Sequence, residues 1–401
     1  MASNTNNKAT ASKTTVFDVS VVGAGLVGLA TVIALAEQGK NVVLVDAKQK
    51  PDYAISTAWD ARIYAITPST EAFLKTLGVW DLVDPVRVNT VEAMALWYGD
   101  ENAPLNLLAE DASLDKLACI VENNNLMHAL WQKVDRLDVS VVLGSPCENI
   151  QYQGNMVTVG LVNGEQVSAS LLVAADGANS FVRQQLGLST NDKDFDQIAL
   201  VANYATSKDH NNIARQWFAP HETLALLPLP QQQVSMVWSL ETERAKKLLT
   251  LSEESLAEQV GMQVQHQLGE LQATSQTDSF PLRQTTASKL ISERVVLIGD
   301  AAHQVHPMAG QGANLGFRDV ISLASLIASS HALQDVGEVT FLRCYERDRK
   351  ADIVSMNMLT SGLDYLFASD NQLMRKLAAS SMKQLEKYSS IKNILIKQAV
   401  A

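Results

Sequence analysis

The first patterned stretch of the chain constrains the fold more than any other. VFDVSVV, residues 16–22, is a short apolar strand that runs into Gly23-Ala24-Gly25-Leu26-Val27-Gly28. A helical pattern continues to Gly39, a second buried strand covers Asn41–Val45, and Asp46 closes it. Each glycine has a distinct task in such a unit. Gly23 permits a tight turn, Gly25 lets the backbone approach a pyrophosphate, and Gly28 lets the helix sit close to the strand. The helix N-terminus then presents free N–H groups and a positive dipole end to phosphates. Asp46, 18 residues past Gly28, is placed to accept bonds from ribose hydroxyls. A glycine turn of this spacing alone also fits a loop without a ligand; strand, helix and terminal acid together predict a Rossmann-like α/β unit that binds a dinucleotide.

Some 270 residues later the same grammar returns. Arg294–Ile298 reads as a buried strand, broken at Gly299-Asp300, and His303, His306, Pro307, Gly310, Gln311 and Gly312 lead into another helix. The first turn accounts for the ADP half of a long cofactor, so a second turn is expected to hold the other half. Asp300, at the carboxyl end of a strand, suits the hydroxyls of a ribityl chain. The side-chain-poor run through Gly310, Gln311 and Gly312 can lie against a flat ring, with a helix dipole aimed at its electron-rich edge. Between the two turns, strand 171–175 ends in Asp176-Gly177. Two glycine turns serving one extended cofactor point to FAD.

The rest of the chain organises around these motifs. Residues 60–82 read as a loop carrying Arg62, then an amphipathic helix. Residues 91–98 and 103–108 read as strands, 121–134 as a helix, and 147–152 with 156–162 as a strand pair turning at Gln153-Gly154-Asn155; a further hairpin turn lies at Asn163-Gly164. From 195 to 240 the texture becomes antiparallel, with alternation and prolines at strand ends. A polar helix is expected over 253–270, and 291–299 returns to buried parallel-strand texture. The expected fold class is α/β: a Rossmann-like FAD-binding domain with a parallel sheet (16–90, 118–190, 275–350), an inserted antiparallel-sheet substrate domain (91–117, 191–274) and a helical C-terminus (351–401), preceded by a disordered tail over 1–15.

Composition removes several classes. A net charge of −11 argues against nucleic acid as the main partner. Cys119, Cys147 and Cys344 are scattered, without the C-x-x-C that a disulfide reductase needs, and read as cytosolic thiols. No apolar run reaches membrane-span length. No ligand cluster has metal-site spacing, and no metal is expected. From Asn371 onward the charge reverses, with Arg375, Lys376, Lys383, Lys387, Lys392 and Lys397 against Glu386. This tail is either a solvated helix face or a contact with a membrane surface or partner through 371–401. The expected location is cytoplasmic, with peripheral contact at the inner membrane.

The three motifs, in the order G-x-G-x-x-G, D-G, G-D, resemble the FAD-dependent aromatic hydroxylases of the para-hydroxybenzoate hydroxylase type. Within them, "DARIYAITPSTEAFLKTLGVWD", "VENNNLMHALW", "LALLPLP", "GDAAHQVHPMAGQGANLGFRD" and "YERDRKADI" resemble the ubiquinone-biosynthesis hydroxylase family. The likeness covers about residues 16–370, and His306 to Asp319 matches every fixed position of H-P-x-A-G-Q-G-x-N-x-G-x-x-D. It implies hydroxylation of the ring of a hydrophobic polyprenyl phenol with O2, FAD and NAD(P)H, and partners in a ubiquinone-biosynthesis complex. By resemblance Arg62, Asn123, Asp176, Gly177, Gly299, Asp300, Gly312 and Asn314 join Gly23, Gly25, Gly28 and Asp46 on the cofactor. For Arg62 a surface ion pair is the competing reading. No catalytic side chain is expected beyond the flavin loop (Pro307, Gly310, Gln311, Gly312), because the cofactor carries the chemistry; His303 and His306 are expected to order that loop. Trp217, Leu226, Leu227, Pro228 and Trp238 are expected to line the ring pocket, with core packing as an equal reading. Three rivals remain: a hydroxylase of another aromatic compound, a non-catalytic flavin-binding assembly subunit, and a flavin halogenase, whose W-x-W signature none of the six tryptophans forms.

Overall fold

The computed structural model describes residues 16–52, 59–99, 103–305, 311–331 and 333–367, with 392, 393, 396 and 397 of the tail. The expected tail at 1–15, the loop residues His306, Pro307 and Gly310, and most of 371–401 lie outside the described residues.

In chain order, β1 (Val16–Val22), α1 (Leu26–Glu37) and β2 (Val42–Asp46) form the first unit. Then come β3 (Ile63–Ile66), α2 (Pro68–Thr76), β4 (Val88–Val91), β5 (Ala93–Tyr98), β6 (Leu105–Leu108), β7 (Ala118–Glu122) and α3 (Asn123–Val134). β8 (Ser140–Leu143), β9 (Cys147–Gln153), β10 (Met156–Leu161), β11 (Gln166–Ala174) and α4 (Phe181–Gln185) follow. Next are β12 (Thr190–Thr206), β13 (Ile213–Ala219), β14 (Glu222–Leu229), β15 (Gln233–Glu241), α5 (Thr242–Leu248), α6 (Glu253–Gln263), β16 (Leu271–Ala273) and β17 (Asp278–Ala287). The chain closes with β18 (Ile291–Ser292), β19 (Val295–Leu297), β20 (His303–Gln304), α7 (Gly312–Ala328) and α8 (Val339–Phe367).

Three sheets result. The first has the order β18-β19-β11-β1-β2-β8, with β9 and β10 as a hairpin on β11; β19, β11, β1, β2 and β8 run parallel. Its inner strands β1, β2, β11 and β19 are mostly buried because helices cover them. α1 is buried along Leu26–Leu35 and packs on both α3 and α7, which explains why its sequence is apolar on every face. The second sheet has the order β20-β17-β12-β15-β14-β13-β5-β6, with β16 on β12. It is antiparallel except between β13 and β5, where an earlier stretch of chain joins it. The third, β3-β7-β4, is a small antiparallel sheet packed between the other two.

Several expectations change. β17 was assigned to the cofactor domain, but it pairs along β12 and belongs to the second sheet. Ile63–Ile66, read as loop, is a strand held by β7. Ser140–Leu143, four residues without strong alternation, is an edge strand of the parallel sheet that sequence reading missed. The polar helix expected to reach 270 stops at Gln263, and α5 precedes it. Of the basic tail, Lys392 is not on an open face: it is buried, with Nζ 3.4 Å from Asp111 and 3.2 Å from the Asn106 carbonyl. Ile396 packs with Trp59, Leu117 and Leu229. Among the described residues no helix is long and apolar enough to cross a membrane.

One fully buried carboxylate ties the late elements together. Asp319 of α7 accepts from the Gly299 amide at 2.8 Å and stands 2.7 Å from His303 Nε2 and 2.7 Å from Arg349 Nε of α8. Burial pushes its carboxyl up, but His303 and Arg349 outweigh that and hold it below the ordinary range. Removing one partner of such a cluster leaves uncompensated charge inside the protein. Asp319→Ala is therefore expected to lower unfolding free energy by about 3–5 kcal/mol, read by urea titration. A group with a depressed folded pKa stabilises above its ordinary pKa of about 4 and loses that share as pH falls through the folded value. The Ala variant should accordingly show a weaker acid dependence of stability than the parent.

Candidate active site

Four strand ends converge on one edge of the parallel sheet. Gly23 follows β1, Asp46 ends β2, Asp176 follows β11 and Gly299 follows β19. The turns touch directly. A Cβ on Gly28 would stand 1.9 Å from the Gly23 carbonyl oxygen, and one on Gly23, whose φ is +111°, would stand 2.2 Å from that of Ala175. Val27 of α1 fills the space between the two distant glycine turns: a Cβ on Gly299 would meet it at 3.2 Å and one on Gly316 of α7 at 2.6 Å. Arg183, buried in α4, clips the remaining pair of turns by donating to the carbonyls of Ala301 (2.8 Å) and Ala178 (2.6 Å). No motif in the sequence singles out Arg183. Only a cation with several fixed donors could span both loops.

Other glycines are not explained by protein packing. Gly25 caps α1 and Gly312 begins α7, and apart from chain neighbours and the helix's own backbone neither would bring a Cβ within 4 Å of an atom of the described residues; the same holds for Gly177. Among the described residues, both helix N-termini also lack a side-chain cap. Uncapped N–H groups beside open space are what an anionic or electron-rich ligand would fill. The residues present therefore fit a phosphate group at α1 and a flat ring at α7, as FAD requires.

The cofactor acids divide in environment. Asp46 already holds its own turn, accepting from the Ala24 amide at 2.6 Å and the Lys48 amide at 2.7 Å, yet it remains partly exposed. Asp176 accepts from the Val182 amide at 3.1 Å, and burial raises its carboxyl against the pull of Ser180 and nearby amides. The Asp300 side chain reaches solvent but is ringed by protein. That desolvation raises its carboxyl, while His303 and Arg62 pull it down.

Arg62 and Asn123 come together with a residue that sequence reading did not single out. Tyr64, next but one to Arg62, lies under its guanidinium at 5.6 Å, and its hydroxyl is 3.3 Å from Asn123 Oδ1. Burial pushes the Tyr64 phenol up to about 12, with Arg62 acting against and Asp300 with the shift. It stays a proton donor at neutral pH. The strand β3, missed in the sequence, is what turns Tyr64 toward Asp300. Asn314, expected on the flavin side, spends its amide on the backbone: Nδ2 donates to Ala65 O at 2.8 Å and Oδ1 accepts from Thr67 N at 3.1 Å. Gln311 is buried at the start of α7. His303 is buried against Asp319.

The expected ring pocket needs correction. Trp217, Leu226 and Trp238 pack in the core between the second sheet and helices α5 and α6, with Leu248, Leu256 and Val260. Trp217 stacks on Trp97 at 4.7 Å, and Trp238 Nε1 donates to Glu222 at 2.6 Å. Alternation puts Pro228, buried, on that same face. Leu227 points the other way, toward the small third sheet. With it on the opposite face are Thr223, Ala225 and Val237, all partly exposed. That face, not the tryptophan face, is open on the cofactor side. Of the five residues, Trp217, Leu226 and Trp238 thus follow the core-packing reading, Pro228 shares their face, and Leu227 lies on the other.

Comparison with known proteins agrees with this geometry. The model of the FAD binding domain family matches residues 16–359, and the chain belongs to that family. The ubiquinone hydroxylase UbiL of Rhodospirillum rubrum is 30% identical over 395 residues, 98% of this chain and 91% of that one. The human mitochondrial ubiquinone biosynthesis monooxygenase is 31% identical, covering 90% and 87% of the two chains, and the 3-demethoxyubiquinol 3-hydroxylase of Escherichia coli is 30% identical over 88% and 89%. In fold, p-nitrophenol 4-monooxygenase from Pseudomonas putida superposes with a TM-score of 0.78 at 19% identity, covering 96% and 99% of the two chains. The protein is thus an FAD-dependent aromatic-ring monooxygenase.

The two kinds of glycine predict opposite outcomes. Gly25 has φ −79°, open to any residue, so Gly25→Val should fold with stability within about 0.5 kcal/mol of the parent. It should bind FAD at least about tenfold more weakly, read by quenching of flavin fluorescence on titration. Gly28→Val should fail to accumulate as folded protein, because the collision is with backbone.

Proposed function

We propose that the protein hydroxylates the aromatic ring of a prenylated phenol in ubiquinone biosynthesis, with FAD as cofactor and NAD(P)H and O2 as co-substrates. The observation that carries this reading is the pair of uncapped helix N-termini, at Gly25 and Gly312, that open on one edge of the sheet. Relatives named for ubiquinone hydroxylation and aligned along most of the chain supply the substrate class.

The first turn, Gly23 to Gly28, would hold the pyrophosphate and Asp46 the adenosine ribose. Asp300 would take ribityl hydroxyls, and Arg62 and Asn123 would flank the ring half, with Asp176 and Gly177 completing the cradle. FAD, when bound, accepts electrons from NAD(P)H and activates O2 for transfer to an electron-rich ring. The chain's own task is to hold the ring against the cofactor, exclude water and supply donors. Tyr64 keeps its proton at neutral pH and can donate to an oxygen at the edge of the site. The partly exposed Thr223, Ala225, Leu227 and Val237 offer a shallow, mainly apolar floor for a planar substrate. Small side chains there leave room for a ring, which the buried tryptophans of the opposite face would not.

A prenylated phenol is nearly insoluble, so the protein must meet it at a membrane surface or receive it from a carrier. We assign this contact to the basic residues of 371–401 other than Lys392, whose ammonium is already paired. Basic residues near an anionic surface gain about 1 kcal/mol each, so the contact should weaken with salt.

Purified protein should release FAD on acid treatment. It should oxidise NAD(P)H in the presence of a short-chain prenylated phenol, and the product should carry one atom from ¹⁸O2. NAD(P)H consumption that gives only hydrogen peroxide with every phenol tried would instead support a non-catalytic flavin subunit.

A further inference from the structure

The face of the second sheet that is turned toward the cofactor loops carries two polar groups that the protein leaves unanswered. Asn203 of β12 and Ser235 of β15 stand directly opposite each other across the antiparallel ladder. Both are fully buried. Directly opposed side chains of this kind have Cβ atoms about 4.5–5.5 Å apart. Asn203 Nδ2 donates to the Asp60 carbonyl at 3.1 Å, while Asn203 Oδ1 and Ser235 Oγ have no hydrogen-bond partner among the described residues. The orientation of the amide is not arbitrary. Asp60 O can only accept, so the NH2 must face it and the oxygen must face away. An unpaired buried acceptor and hydroxyl side by side are costly unless something fills the gap between them.

The surroundings say what kind of group would do so. Leu227 is the next residue in this row, opposite Ser235 on β14, and it is partly exposed; Val237 and Ala225 form the adjacent row. The polar pair therefore lies just beneath the margin of an otherwise apolar floor, where a ligand group meets it once the neighbouring side chains give way. The unmet need is one donor and one acceptor: a donor for Asn203 Oδ1 and a partner for the Ser235 hydroxyl, which can give or take. A ring hydroxyl supplies both. Charge is not called for, since no cation or anion stands in the pair itself.

Asn203 also links this spot to the flavin side. Asp60, whose carbonyl it holds, accepts from the amides of Arg62 (2.9 Å) and Asn124 (3.2 Å) with its carboxylate. The Asp60 amide donates to Glu122 at 2.6 Å, and Glu122 is paired with Arg87 at 2.5 and 2.7 Å. Asn203 is thus the point at which the substrate sheet grips the segment bearing Arg62 and Tyr64.

We propose that Asn203 and Ser235 bind a hydroxyl substituent of the aromatic substrate, and so fix which ring carbon faces the cofactor. This rests on the function proposed above and names the recognition element within it. Ser235→Ala removes the hydroxyl with little change of volume and leaves Asn203 on Asp60. The probe is a series of short-chain prenylated quinols in which each ring oxygen in turn is replaced by hydrogen, titrated into the FAD-loaded protein and read by the change in flavin absorbance. Against the parent quinol, Ser235→Ala should raise Kd about three- to tenfold. Against the one analogue that lacks the recognised hydroxyl, variant and parent protein should bind alike. Asn203→Ser, which keeps a small polar group but releases Asp60, should in addition raise the fraction of NAD(P)H oxidised without product. Two outcomes overturn the proposal: Ser235→Ala binding every analogue as the parent does, which leaves a bound water as the partner, or weakening all analogues equally, which leaves packing. If the parent protein binds none of the quinols but another class of phenol, the substrate class fails. The Ser235 comparison, repeated on that class with each oxygen removed in turn, then decides the recognition element separately.

Discussion

The buried carboxylate of Asp319 is the constraint on which the cofactor edge depends. It sits at no exposure and satisfies three donors from three separate stretches of chain: the Gly299 amide, His303 and Arg349. Ionic clusters with no access to water are stable only when every partner is present and well placed. Asp319 therefore fixes where β19 stops, how β20 leaves it and where α8 docks. The positions of Gly299 and Asp300 follow from that. The motif YERDRKADI at 345–353, which gave only family likeness as a string, is the other side of the same arrangement. The Tyr345 hydroxyl donates to Leu297 O, Glu346 accepts from Leu290 N, Asp348 accepts from Ser322, and Asp352 pairs with Arg349 and Arg318. Nearly all its polar side chains hold the strand and helix that frame the second turn.

A second constraint is steric. Gly23, Gly28 and Gly316 each stand where a methyl group would strike other protein atoms, so they let β1, β11, α1 and α7 close up. Gly25 and Gly312 strike nothing. The first set builds the edge of the sheet, and the second leaves it open. The distinction explains why a chain with two widely separated glycine turns makes one site and not two. The two turns share Val27 as a common wall.

Legibility in the sequence followed the strength of local pattern. The parallel core, both glycine turns, the D-G and G-D acids and the hairpins at Gly154 and Gly164 were readable because backbone needs narrow the choice of residue there. β8 was not, since an edge strand half exposed on both faces carries little alternation. β17 looked like the start of the cofactor domain because it lies next to β18 in sequence, but its pairing with β12 is a long-range choice that no local pattern records. The choice between pocket and core stayed open in the sequence for another reason. Period-2 alternation identifies the two faces of β14 but not which face is covered by helices, and large aromatics drew attention to the covered one. Trp217 and Trp238 are large because the space between sheet and helices must be filled. Thr223, Ala225 and Val237 are smaller and lie partly exposed on the other face.

The same division bears on how two sheets with separate cores act on one reaction. Their direct polar contact at the site is slight: the Asn203 amide on Asp60, beside the packing of Leu227 and Leu229 against Trp59 and the third sheet. Asp60 is rigid on its other sides, anchored through Glu122 to Arg87, which also lies 4.4 Å over the Trp59 ring. The Glu122 and Asn203 bonds both meet Asp60, and the neutral Asn203 bond is the weaker of the two, while Ile63 and Tyr64 are paired along β7. The segment Asp60–Tyr64 carries both Arg62 and Tyr64. Any group that settles against Asn203 therefore acts on the cofactor side through one short connection, with no need for the sheets themselves to move.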